Sequence, residues 1–170
     1  MQVRLLGPVD VGAGGRPQVV GGLRRTGVLA VLALAAGEVV SADDLTEAVW
    51  GGEPPASNSL QSHISALRGV LGRDAIVARP PGYVLELGPD GTDVQAAGRL
   101  LRPAAATAGP AQAVADLRAA LDLWRGTPLT GVRAWPACPA WPARPGGWRS
   151  CGRRSGGQPR LARGQRRAPR

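Results

Sequence analysis

Between Gly51 and Leu71 the chain carries the one stretch whose residue types and spacing suit a definite chemistry. Leu60, Ile64, Leu67 and Leu71 recur at i, i+4, i+7 and i+11, a narrow helical stripe. With that stripe against a core, helix geometry turns Asn58, Ser59, Ser62, Ser65, Ala66 and Gly69 outward. All six are small or polar. A helix with so thin an outer face can lie deep in the major groove of B-DNA, where amides and hydroxyls meet base edges. His63 and Arg68 flank the face and could reach phosphates, and Arg79, at the tip of a following hairpin, could reach an adjacent groove. On periodicity alone, a plain solvated helix face accounts for the same pattern.

No other residue set assembles into a site. His63 is the single histidine and has no partner for catalysis or ligation at a motif spacing. Cys138 and Cys151 stand alone, without the paired C-x-x-C knuckle of a zinc site or a disulfide framework. Gly12–Gly15 lacks the Lys-Ser/Thr that would make a phosphate loop and reads as a turn. Asp43, Asp44 and Glu47 fit the start of a helix, where carboxylates favour the positive end of the dipole. Trp50 and Trp124 read as core anchors, and Tyr83 as wing packing. The expectation is a non-enzyme with no catalytic residue, no metal and no cofactor.

The elements that must hold the helix follow from local signals. Residues 2–11 read as a strand, a turn at Gly7-Pro8 and a second strand, with Pro17–Val20 returning as a third. Leu23–Ala36 is apolar almost all round and stops at Gly37, as a central helix should. Its Arg24-Arg25 start mimics a signal peptide but lies too far from the N-terminus, and the run is too short to span a bilayer. After a brief extended connection, Glu38–Val40, Ser41 is placed to cap a second helix that ends at Gly51-Gly52. Ser57 or Asn58 caps the third, which stops at Gly72. Ile76–Ala78, the turn 79–82 and Tyr83–Leu87 form a hairpin. The order is sheet, three helices, hairpin, an α+β arrangement over residues 1–92 that the resemblance drawn below reads as a winged helix-turn-helix.

Beyond it, Gly88–Thr92 reads as a linker, and Asp93–Leu101 with Ala111–Trp124 as a helical hairpin within 93–132. From about residue 133 the period dissolves into a disordered Arg/Pro/Gly-rich tail. The net charge of +9 belongs to that tail: residues 137–170 hold nine Arg and no acid, whereas residues 1–92 sum to −2. All 21 basic residues are Arg, which with 25 Gly and 16 Pro suggests a G+C-rich gene. Tail-driven binding would be unselective.

The segments "RLLGPVDV", "GEVVSADDLTEAVWGGEPPASNSLQSHISALRGVLG" and "ARPPGYVLEL" resemble, in order and spacing, the OmpR-type winged-helix domain of the Streptomyces antibiotic regulatory protein (SARP) family. "DLRAALDLWRG" followed by Pro128-Leu129 is similar to the opening of the bacterial transcriptional activator domain that comes next in that family. The resemblance covers about residues 1–132. It implies an N-terminal antiparallel sheet, a third helix in the major groove and a wing on the backbone or minor groove. Base reading would fall to Asn58, Ser59, Ser62 and Ala66. Phosphate contacts would fall to His63, Arg68 and Arg79. The loop Gly51, Gly52, Glu53, Pro54, Pro55 and Ala56 would face RNA polymerase. Double-stranded DNA carrying short direct repeats is the implied partner, with RNA polymerase a candidate second one. The protein would be a cytoplasmic, nucleoid-associated monomer able to pair on tandem sites, activating a secondary-metabolite gene cluster. Two departures stand out. Ala66 and Gly69 replace the arginines usual in the family, and one helical hairpin stands where several usually follow. A reading-frame change near Gly131–Trp135 would account for the second. The alternatives are a truncated copy that occupies DNA without activating, and an unselective nucleic-acid-binding fragment driven by the tail.

Overall fold

The structure is a computed structural model that describes residues 1–13, 16–51, 58–106 and 109–132. The expected tail, its two cysteines, and loop residues Gly52–Ser57 therefore lie outside the described residues.

Alternating apolar residues open the chain as three short strands: β1 (Gln2–Arg4), β2 (Asp10–Ala13) and β3 (Arg16–Val19), paired antiparallel in the order β1-β2-β3. Val3 and Val11 sit opposite each other and are fully buried. All of β3 is exposed, and Pro17 suits such an edge because it has no N–H to donate. Helix α1 (Leu23–Leu34) follows, with every residue from Thr26 to Ala33 buried. A helix buried on all sides is the centre of a small domain. The Thr26 hydroxyl donates to the Val20 carbonyl at 2.9 Å, tying its first turn to the end of β3.

Val40, expected to close the brief extended connection Glu38–Val40, forms with Ser41 a strand, β4. Ser41 also caps α2 (Ala42–Trp50), accepting from the Asp44 N–H at 2.9 Å. Gly51 ends α2 in the left-handed conformation, φ 65°, which costs glycine little. Helix α3 runs Ser59–Leu71, and β5 (Ile76–Arg79) and β6 (Gly82–Leu85) follow as the hairpin. β4 joins them to give a second three-stranded sheet, β4-β6-β5. Its closeness depends on Gly82, where an added Cβ would run into the Val40 carbonyl oxygen. The sequence order of sheet, three helices and hairpin is thus observed.

Two helices complete the described chain: α4 (Asp93–Ala106) and α5 (Pro110–Asp122). Three expectations need correcting here. Gly88–Thr92 is not a slack linker: Gly91 and Thr92 are buried, and the Val3 N–H donates to the Gly91 carbonyl at 2.8 Å. Asn58 precedes α3 with φ 71° and makes no side-chain capping bond. Trp124 is 45% exposed and anchors no core; it lies just beyond the end of α5.

The same helical hairpin is fastened to the N-terminal sheet. Asp93, 1% exposed, accepts from the Leu5 N–H at 2.8 and 2.9 Å and from the Leu6 N–H at 2.9 Å. Asp10 receives Arg4 at 2.6 Å and Arg125 at 2.9 Å. Backbone bonds Arg125 N–H to Leu6 carbonyl (2.7 Å) and Leu129 N–H to Leu5 carbonyl (2.9 Å) complete the seam.

Candidate nucleic-acid interface

The stripe along α3 behaves as its spacing requires. Leu60, Ile64, Leu67 and Leu71 are between 0 and 6% exposed and belong to the main core with Leu29, Leu32 and Leu45. On the other side Asn58, Gln61, Ser62, Ser65 and Gly69 are exposed, while Ser59 and Ala66 are half-buried. The exposed side therefore presents hydroxyls, amides and open backbone, with no bulky side chain to hold the helix axis away from a groove floor. An α-helix is ~10–12 Å across with its side chains, close to the ~12 Å width of the B-DNA major groove. Groups on either flank of this face would then lie near the phosphate walls.

The residues expected at those walls are not equivalent. Arg68 stands in the last turn of α3, and its Nε donates to the Ile76 carbonyl at 2.8 Å. It joins the recognition helix to the first strand of the wing, a structural duty that the spacing of the sequence did not signal. Arg79 lies at the hairpin tip, 57% exposed, paired to Glu86 at 2.7 Å. An exposed pair of this kind contributes ~0–1 kcal/mol, so its guanidinium can exchange partners cheaply. His63 is half-buried with its ring 5.7 Å from that of Trp50. Burial, then Arg25 and Arg24, push its pKa below the ordinary 6.5, so the ring is held neutral. A neutral imidazole offers a hydrogen bond to phosphate and no charge.

Sequence reasoning missed Arg24 and Arg25. They lie at the start of α1, yet the fold brings them to α3: the Arg24 guanidinium stands 5.7 Å over the Trp50 ring, and both arginines act on His63. The signal is two adjacent arginines opening an otherwise apolar helix, a pattern that also mimics a leader sequence. Of the loop expected to face RNA polymerase only Gly51 is described. No group of three or more His, Cys, Asp or Glu suited to a metal occurs among the described residues. No described helix is long and apolar enough to cross a membrane.

Comparison with known proteins places this geometry. Residues 18–85, from the end of β3 to the end of β6, match the family described as "Transcriptional regulatory protein, C terminal". The chain is similar to the transcriptional regulator RedD of Streptomyces coelicolor, 35% identical over 144 residues, covering 76% of this chain and 40% of RedD. It is 35% identical over 150 residues to the regulatory protein DnrI of Streptomyces peucetius, covering 79% of this chain and 55% of DnrI. Among solved structures it is similar to Mycobacterium tuberculosis EmbR in complex with a low-affinity phosphopeptide. That match has a TM-score of 0.67 at 33% identity over 75% of this chain and 37% of EmbR. The chain thus spans about half the length, or less, of these relatives.

Proposed function

We propose, from the premise that this chain carries the OmpR-type DNA-binding domain of the SARP regulators, that it is a sequence-specific transcriptional regulator of the activator type. The observation that carries the reading is the division of α3 into a buried stripe and a thin polar face, backed by a winged sheet. Asn58, Ser59, Ser62 and Ala66 read bases in the major groove. Arg79 on the wing takes a phosphate by releasing Glu86, and Arg68 adds charge while it holds the wing. His63 supplies a neutral hydrogen bond. The loop Gly51–Ala56 faces RNA polymerase. Residues 1–92 are the DNA-binding part, and residues 93–132 the opening of the activator domain. The protein works without enzymatic chemistry in the cytoplasm, on short direct repeats near a secondary-metabolite gene cluster, as a monomer that pairs on tandem sites.

Binding of duplex DNA is carried by contacts of two kinds, and they separate experimentally. Phosphate contacts set affinity and salt dependence, whereas base contacts set sequence. Selection from genomic fragments with the full chain, and with residues 134–170 removed, should enrich the same short repeat in both cases. Unselective retention by the full chain that disappears with the tail would instead establish the tail-driven reading. Ser62→Arg should then change the enriched sequence, since a guanidinium on the exposed face meets guanine O6 and N7, worth ~1–3 kcal/mol of discrimination.

A further inference from the structure

The folded DNA-binding part has a charge problem. Its residues 1–92 carry a net charge of −2, yet it must approach a polyanion, so attraction has to be local. Within residues 1–92, Arg4 and Arg79 do not supply it freely, being ion-paired to carboxylates at 2.6 and 2.7 Å, and Arg68 is bonded to the Ile76 carbonyl. Arg24 and Arg25, like Arg16 and Arg73, are in no ion pair among the described residues, but they alone gather at Trp50 and His63. Among the described residues neither has a carboxylate within 4.0 Å, and α1 has no acidic residue in its first turn. Two positive charges at the positive end of a helix dipole repel both it and each other, an arrangement that works against folding. Stability therefore does not explain them.

Their surroundings point to an anion. Arg24 and Arg25 from α1, Trp50 from α2 and His63 from α3 meet in one patch. The patch has donors to spare as well as charge. Trp50 is only 7% exposed, and among the described residues neither its Nε1 nor the buried Nε of Arg25 has an acceptor. His63 adjoins exposed Ser62, and lies within one helical turn of Ser59 and Ala66, so the patch borders the reading face itself. With α3 filling a groove of nearly its own width, that border falls against a sugar-phosphate strand.

We propose that Arg24 and Arg25 form a phosphate clamp, delivered from α1, on the flank of the α3 reading face opposite in role to the wing. It rests on the DNA-binding reading and adds to it the source of the attraction. The stacking of Arg24 on Trp50 fixes the direction of its guanidinium. Neutral His63 lets the two arginines gather without a third charge.

The test measures the salt dependence of binding by the full chain, first on a duplex of about 30 base pairs recovered by selection and then on a mixed-sequence duplex of that length. Each phosphate contact contributes about 0.9 to the slope of log K against log salt. The tail contributes equally to every variant, so differences in slope isolate the patch. R24Q/R25Q should lower the slope by about 1.8 and the affinity by roughly tenfold or more at moderate salt, with the sequence preference kept. R24K/R25K should keep the slope, and R99Q, at an arginine on α4, should leave it unchanged. An unchanged slope in a folded R24Q/R25Q overturns the clamp, and does so too if that variant loses only binding to RNA polymerase, which would make the patch a protein contact. Should the double variant lose its helical circular dichroism, the single variants decide, at about 0.9 each or none. If the unaltered chain enriches no sequence, the sequence-specific reading fails, while the slopes on mixed-sequence duplex still decide the clamp.

Discussion

At the scale of single residues, the chain uses its few charged groups twice. Arg68 joins α3 to β5 through its Nε and also lies beside the reading face. Arg68→Ala should therefore lower both stability and DNA affinity, the first by about 1–2 kcal/mol for loss of a charged, part-buried hydrogen bond. Urea unfolding and a binding titration on the same variant check the two effects. Arg68→Lys should retain more affinity than stability, because an ammonium keeps the charge but has no Nε fork to bond Ile76. His63 gives a pH signature. Its pKa is lowered in the folded chain by burial and by Arg25 and Arg24, so below pH 6.5 the unfolded chain binds more protons than the folded one. Stability should fall as pH drops through 6.5 and level off below the folded pKa. His63→Gln should flatten that decline in thermal melts taken across the range. The face of α3 was legible at this scale because leucine spacing alone orients a helix. The partners of Arg68 and of Arg24 were not, since each bond joins elements that meet only in the fold.

At the scale of elements, α3 and the wing set what the surface can do. Gly69 lies exposed in α3 with nothing within 4 Å of where a Cβ would stand. Gly69→Arg should therefore strengthen the helix by roughly 0.5–1 kcal/mol. It should also tighten DNA binding and steepen the salt slope, because a guanidinium is added to the exposed face. A slope no steeper than that of the unaltered chain would move Gly69 out of the groove. Gly82→Ala should do the opposite. Its Cβ would meet the Val40 carbonyl oxygen, so β4 and β6 must part and the wing loses its support. Unfolding at lower urea, with weakened binding to every duplex alike, is the expected result. Strand β4 explains why this glycine matters and why the sequence hides it. Val40-Ser41 is too short to show a strand period, and its partner lies some forty residues away in the hairpin. Helix α5 likewise carries Val114, Leu117 and Leu121 along one exposed stripe, each 45–67% exposed, with Trp124 exposed just beyond its end. The sequence marks these residues as apolar, yet only the packing shows which of them a core receives.

At the scale of the whole molecule, the helical hairpin and the DNA-binding part are joined by buried charge rather than by a tether. Asp93 takes the N–H groups of Leu5 and Leu6, and Asp10 holds Arg125 from beyond α5. Asp93→Ala should leave both N–H groups unpaired in a buried place, at a cost of about 3 kcal/mol. Asp93→Asn should recover part of it, since an amide oxygen can still accept one bond. The composition change after Leu87 suggested a boundary because Gly, Pro and Asp gather there, as they do in linkers. They gather here to let the chain turn tightly and run beside β1, where Gly91 and Thr92 are buried. A chain ending at residue 92 should consequently be less stable than one ending at residue 132. It strips the cover from Leu5 and Leu6, which are 1% and 7% exposed, and removes one of the two arginines bonded to Asp10. The comparison needs only urea unfolding of both chains. A lower midpoint for the shorter chain would mean that the hairpin is part of what holds the N-terminal sheet, and that contacts made by α4 and α5 are felt in the DNA-binding part. Equal midpoints would mean that the seam contributes nothing net, because the desolvation of Asp93 and Asp10 offsets their bonds. The first outcome is expected: Asp93 is met by backbone N–H groups already fixed in the turn that follows β1, so little further ordering is needed to pair it.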